Sequence, residues 1–165
     1  MAPAALDTII THLKDTGRAP SYYDLIITGD LGHIGKEIVL DLSKNHGYNL
    51  KNNYNDCGVL IFDKEKQDTH SGGSGCGCCA SVFSGYLYNQ LKEKKLKKIL
   101  LVATGALMNS TTSQQGESIP GIAHAISIEL WFFKWTCYIL IFKISALACQ
   151  TRFFRIECDW SSPIS

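Results

Sequence analysis

Apolar positions in the first 129 residues follow two periods, and the period switches wherever turn residues stand. Ala4-Ala5-Leu6, Ile9-Ile10 and Leu13 recur at helical spacing. Pro3 occupies a first-turn position, where its missing N–H costs nothing, and Gly17 is a stop, so an amphipathic helix ending near Thr16 is predicted. The chain opens directly on that helix, with the expectation that something normally precedes it.

Tyr23-Asp24-Leu25-Ile26-Ile27-Thr28 is a short apolar run bounded by Gly29-Asp30 and reads as a strand. Ile34, Ile38, Val39 and Leu42 then repeat at helical spacing up to Asn45-His46-Gly47, giving strand, glycine turn and helix. Leu50–Asp56 is polar with turn chemistry, and Gly58-Val59-Leu60-Ile61-Phe62 reads as a short strand or buried extended piece. Val82, Phe83, Tyr86, Leu87 and Leu91 form a second amphipathic helix. It is closed by the Lys92–Lys98 stretch, whose cations suit the negative end of a helix dipole. Ile99–Ala103 reads as a buried strand, Asn109–Ser118 as a polar loop, and Ile122–Glu129 as a last strand. Helices between strands make this an α/β layer structure in which the two last strands can pair antiparallel.

The pattern breaks after Glu129. All three tryptophans and nine of the seventeen aromatics lie in the final 36 residues, whereas all fourteen glycines precede residue 130. This divides the chain into a domain at 1–129 and a tail at 130–165. The twenty mostly apolar residues from Leu130 to Cys149 have the length of a membrane span. Lys134, Lys143 and a mixture of β-branched and aromatic residues argue instead for a segment not selected as structure, as read-through or a frame change after Glu129 would produce.

Composition and charge narrow the function classes. A net charge of +1 and a pI near 7.6 give no electrostatic case for nucleic acid or an anionic membrane. Apolar and charged fractions of 45% and 19% are those of a globular protein. Seven cysteines, an odd number, with no secretory signal before them, indicate reduced thiols in a cytosolic type of environment.

Chemistry concentrates in Thr69-His70-Ser71-Gly72-Gly73-Ser74-Gly75-Cys76-Gly77-Cys78-Cys79, immediately before the second helix. Backbone N–H groups at a glycine-rich helix start could cradle an anion such as a carboxylate. The run is neither a P-loop, lacking Gly-Lys-Ser/Thr, nor a dinucleotide fingerprint, lacking a strand in register. Cys76, Cys78 and Cys79 have no separate cysteine pair to complete a tetrahedral zinc site. Close packing of small residues at a domain or subunit interface is the other reading, and it stays open beside ligand contact. His70 stands at the mouth of the turn, where a histidine could act as base or hydrogen-bond donor or be merely exposed. His124, inside the last strand, is expected to be buried and hydrogen-bonded. His12, His33 and His46 carry no constellation. The loop Ser110–Ser118 could hydrogen-bond a polar ligand or be a solvated connection, and nothing pairs Asp30 with Glu117.

Several long motifs carry a resemblance. They are Tyr23–Gly32, Asn53–Gly58, His70–Cys78, Ala103-Thr104-Gly105-Ala106-Leu107 and Ser113–Ala125. From Met1 to Glu129 the chain resembles the stage V sporulation protein AD family. The resemblance implies the second half of a thiolase-like fold, a mixed sheet flanked by helices, with an unrelated aromatic-rich tail. It implies a part in moving dipicolinic acid into developing spores, by binding it rather than by acyl transfer, with dipicolinate as ligand and no cofactor or metal. His70, Gly72, Gly73, Ser74 and Gly75 are the ligand-binding candidates. In the wider superfamily a histidine precedes a helix in a Gly-His-Pro turn, and His70 is similar in placement, although Thr69 and Ser71 flank it. The second superfamily cysteine has no counterpart, since Ser118-Ile119-Pro120-Gly121 occupies its place. Implied partners are the first half of the same fold, a second copy in a homodimer, and other stage V sporulation A proteins at the spore membrane. The implied location is the developing spore, soluble and peripheral to the inner spore membrane, with no signal peptide. Two alternatives stand beside this: one half of an acyltransferase or 3-oxoacyl synthase, with His70 stabilising a thioester oxyanion, and a truncated, nonfunctional product.

Overall fold

A computed structural model of the chain describes residues 1–72, 75–106, 110, 114–115, 120–131, 141–147 and 154–155. The elements are α1 (Ala2–Thr16), a 3₁₀ turn (Pro20–Tyr22), β1 (Leu25–Thr28), α2 (Gly32–Asn45), β2 (Tyr54–Asp56), α3 (Cys57–Ile61), α4 (Cys78–Val82), a π-helical turn (Phe83–Leu87), α5 (Tyr88–Lys92), β3 (Lys98–Ala106) and β4 (Gly121–Trp131). β5 (Ile141–Leu147) and β6 (Phe154–Arg155) follow, and the sheet order is β2-β1-β3-β4-β5-β6. β1 pairs parallel with both β2 and β3, while β3–β4, β4–β5 and β5–β6 are antiparallel. The predicted mixed α/β sheet and its closing antiparallel pair are therefore present.

The period-two alternation of the central strands sends alternate residues to two different cores. Ile26, Leu100, Val102, Ala123 and Ala125 face α1, whose Ala5, Leu6, Ile9 and Leu13 are buried on them, with Val39 of α2 in the same cluster. Ile27, Ile99, Leu101 and Ile128 face the opposite way, toward Val82, Leu87 and Leu91 of the α4–α5 segment. Each fully buried Leu or Ile in these layers contributes about 1.5–3 kcal/mol of hydrophobic stabilisation. The result is a sheet covered by helices on both faces, the arrangement expected of parallel strands.

α1 ends as predicted. Gly17 adopts a left-handed φ of 63°, its N–H donates to the Lys14 carbonyl, and the Arg18 N–H reaches back to Leu13. These are the paired bonds of a Schellman cap. They turn the chain so that Arg18, Tyr22 and Tyr23 return beneath α1.

Two expectations fail between residues 50 and 62. The polar stretch ending at Asp56 contains β2, and Gly58–Phe62 is not extended, because Cys57–Ile61 forms α3. The reason is local. Asp56 caps the helix by accepting the Gly58 N–H, and Leu60 and Ile61 are exposed, so this apolar run is not strand core. The second amphipathic helix begins at Cys78, widens into a π-helical turn at Phe83–Leu87 and ends at Lys92, while Lys98 already belongs to β3. Among the described residues no helix is long and apolar enough to cross a membrane. Residues 141–147, inside the apolar tail segment, are a strand beside β4.

Candidate functional site

The glycine turn is built against the carboxyl ends of the three parallel strands. Asp56, the last residue of β2, is fully buried and lies where β1 gives way to α2. Its Oδ2 accepts the Thr28 hydroxyl at 2.6 Å and the Leu31 N–H at 3.0 Å. Its Oδ1 accepts the N–H groups of Gly32 and Gly58, both at 2.9 Å. One carboxylate thus caps both α2 and α3, where the dipole favours a negative charge. The next free donor of α2, the His33 N–H, is taken by the Ser71 carbonyl at 2.6 Å. The α2 start is thereby closed by protein groups. Tyr54 completes the corner through a 2.9 Å bond between its hydroxyl and that of Thr28, and burial pushes its phenol well above its ordinary range.

Backbone contact at this corner is too close for side chains. A Cβ on Gly32, whose φ is +69°, would overlap the Ser71 carbonyl. A Cβ on Gly58 would stand 2.6 Å from the Gly72 carbonyl oxygen and 2.7 Å from Asp30 Oδ1. The small residues therefore do let elements approach closely, but what approaches is the turn's own backbone onto the starts of α2 and α3.

The predicted ligand residues are distributed unevenly. Gly72 is buried with φ +71°, and its N–H donates to the Thr69 carbonyl at 2.8 Å. Gly75 is exposed with φ +83°, and its N–H donates to Asp30 Oδ2 at 2.6 Å. His70 adopts a φ of +49°, rare for a residue with a Cβ. Its side chain is 89% exposed, with Nδ1 3.5 Å from an Asp68 carboxylate oxygen. Gly73 and Ser74 lie outside the described residues, as does most of the Ser110–Ser118 loop including Glu117. His124 is not buried as expected. It alternates with the inward Ala123 and Ala125, near the strand end where Ile122 is 55% exposed.

Asp30 and Thr104 are site residues that periodicity did not reveal. Asp30 lies two residues past the end of β1, its N–H donates to Thr104 Oγ1 at 3.2 Å, and it holds the Gly75 end of the turn. The available signal was position, since a polar residue just past the carboxyl end of a parallel strand faces the crevice where α/β sheets bind ligands. Cys57 was missed as well. It is wholly buried at the start of α3, in the apolar cluster against which Cys79 of α4 packs. Among the described residues no three His, Cys, Asp or Glu side chains gather as a metal site.

A second polar cluster lies away from the turn and includes His12, which sequence left without a constellation. His12 Nε2 is 2.6 Å from the Tyr23 hydroxyl, Tyr23 donates to Ser127 Oγ at 3.2 Å, and Ser127 donates to Glu129 Oε1 at 3.1 Å. That chain of donors corresponds to the Nε2–H tautomer of His12. Arg18 donates to Tyr23, Ser127 and Glu129, the last at 2.7 Å, while Tyr22 donates to Glu129 Oε2 at 3.0 Å. Burial, followed by the nearby Arg18 charge, lowers the His12 pKa. Burial alone would raise that of Glu129, but the Tyr22 hydrogen bond and the Arg18 guanidinium outweigh it, and the net shift is downward.

The long motifs at β1–α2, at the Asp56 corner, in the turn and at the end of β3 all converge on this one edge of the sheet. The family model for stage V sporulation protein AD (SpoVAD) matches residues 1–129. The chain belongs to the stage V sporulation protein AD family. A relative in Bacillus subtilis (strain 168), stage V sporulation protein AD, is 48% identical over 129 residues. That alignment covers 78% of this chain and 38% of the relative, so the chain spans well under half of the relative's length. The elements that build the turn's corner, from β1 to the end of β3, lie within the family match.

Proposed function

We propose that this member of the sporulation family supplies one wall of a dipicolinate-binding site, formed by the His70–Gly75 turn. The carrying observation is the position of the turn at the carboxyl ends of β1, β2 and β3, where open α/β sheets bind ligands. Asp56 is saturated by internal donors, and Asp30 accepts the Gly75 N–H, so both acids are engaged with backbone N–H groups. His70 stands exposed in the same turn and can donate to a carboxylate of a rigid aromatic dianion. On this reading the rest of the fold closes the opposite wall. The protein works in the developing spore, peripheral to the inner spore membrane, as a homodimer and beside other stage V sporulation A proteins.

Calorimetry tests the reading, with dipicolinate titrated into this chain and into the intact Bacillus subtilis relative. Binding is expected, and His70→Ala or Gly75→Val, introduced at the aligned positions, is expected to weaken it about tenfold, as loss of one charge-assisted hydrogen bond would. Unchanged affinity in both variants removes the turn from the site.

A further inference from the structure

We infer that the overhanging end of the β3–β4 ribbon is a second contact surface of the proposed dipicolinate site, with Ile122 against the aromatic ring and His124 donating to a carboxylate. This rests on the reading that the His70–Gly75 turn binds that ligand. β1 ends at Thr28, opposite Val102, whereas β3 runs on to Ala106. Ala103–Ala106 and their β4 partners Gly121–His124 therefore overhang the carboxyl ends of the parallel strands. On the other side of β4, the pairing with β5 covers Ala125–Trp131. Asp30 ties the overhang to the turn, since its N–H donates to Thr104 Oγ1 at 3.2 Å and its Oδ2 accepts the Gly75 N–H at 2.6 Å.

Alternation sorts the overhang into two faces. Ala123 and Ala125 are buried in the cluster under α1. Ile128 belongs to the cluster on the other face, and Ile126 packs against it, with Cys78 and Val82 of α4, the helix into which the turn leads. With a period of two, Ile122 and His124 share that second face, yet both are exposed. Their cross-strand partners are small: His124 stands opposite Ala103, and Ile122 opposite Gly105. A Cβ on Gly105 would lie 3.6 Å from Ile122 Cγ2, so the Ile122 side chain rests beside bare backbone. A low apolar floor thus adjoins an open imidazole.

That pairing suits a planar aromatic acid. Ile122 and His124 are two residues apart, about 7 Å along the strand, which places a ring over the first with its carboxylate in reach of the second. The imidazole N–H donates to one carboxylate while His70 meets the other. A dianion engages both histidines and a monoanion only one, so His124 sets a preference for two carboxylates over one.

Calorimetry of the whole chain with dipicolinate and with pyridine-2-carboxylate tests this. The wild-type chain is expected to bind dipicolinate about tenfold more tightly than the monocarboxylate, as one charge-assisted hydrogen bond would give. His124→Ala should bring the two affinities together, and His124→Gln, which keeps an N–H donor, should restore part of the preference. Ile122→Ala should weaken both ligands alike, by about threefold. Both positions are exposed, so the urea midpoint of each variant should stay at the wild-type value. Dipicolinate bound by the wild-type chain with a preference that His124→Ala leaves intact overturns the assignment and spares the turn. So does a wild-type chain that binds the two acids equally. Absence of dipicolinate binding by the wild-type chain overturns the underlying reading and this assignment with it.

Discussion

The Arg18–Glu129 cluster and the Asp56 corner both bury polar groups beside the sheet, but they are held by opposite means. The first is a side-chain assembly between regular elements. Arg18, Tyr22, Tyr23, His12, Ser127 and Glu129 reach one another with well over a hundred residues of chain between the ends. The second is a backbone assembly. One carboxylate binds three main-chain N–H groups, and glycines at 32, 58 and 72 allow loop carbonyls to lie directly against helix starts. A network of long side chains can adjust when one member changes. A backbone corner with no Cβ clearance cannot, so substitutions there should cost more and should disturb the candidate site.

Asp56→Ala should have the largest effect. It leaves the Leu31, Gly32 and Gly58 N–H groups and the Thr28 hydroxyl without their acceptor, in a fully buried place. A loss of about 4 kcal/mol is expected, measurable by urea unfolding of the chain. A loss under about 1 kcal/mol would show that the corner is held by something other than this cap. The glycines give a paired test of somewhat smaller size. Gly32→Ala, with positive φ and an overlap on the Ser71 carbonyl, should cost about 3 kcal/mol. Gly17→Ala has a similar φ but open space around it and should cost about 1 kcal/mol. Equal losses would mean that backbone conformation, and not the approach of the turn, sets the requirement.

The smallest effect probes the side-chain cluster through pH. His12 has its pKa lowered in the folded chain, so the unfolded chain takes up a proton first as the medium is acidified. Its contribution is complete above the ordinary value of 6.5 and is lost as pH falls from there toward the folded pKa. Glu129, also lowered, acts in the same direction at lower pH: its contribution is present above its ordinary value and is lost as pH falls through the folded pKa. Melting temperature should therefore decline on acidification in two stages, and His12→Gln should flatten the first. An unaltered first stage in His12→Gln would assign it to another group.

Local pattern was enough for α1 and α2, which repeat a helical apolar spacing up to a glycine, and for β1, β3 and β4, which are apolar runs of strand-forming residues. β2 and α3 were not legible. With three and five residues they are too short to show a period, and a single capping carboxylate decides between helix and extended chain. His12 was unreadable for another reason. Its partners are set by which strand lies under α1, and a residue on a helix gives no sign of which distant strand will face it. His124 failed through the same limit, since alternation tells which residues share a strand face but not whether a helix covers that end of it.

The layered α/β class, the change of composition after Glu129 and the place of the Gly/Cys turn before a helix are legible in the sequence alone, because local spacing, residue content and turn chemistry carry them. Motif resemblance also identified the family. The anchoring of the turn by Asp56 and Asp30 and the meeting of Arg18 with Glu129 came from the tertiary fold. Those contacts join residues far apart in the chain, and the order and direction of the strands bring them together.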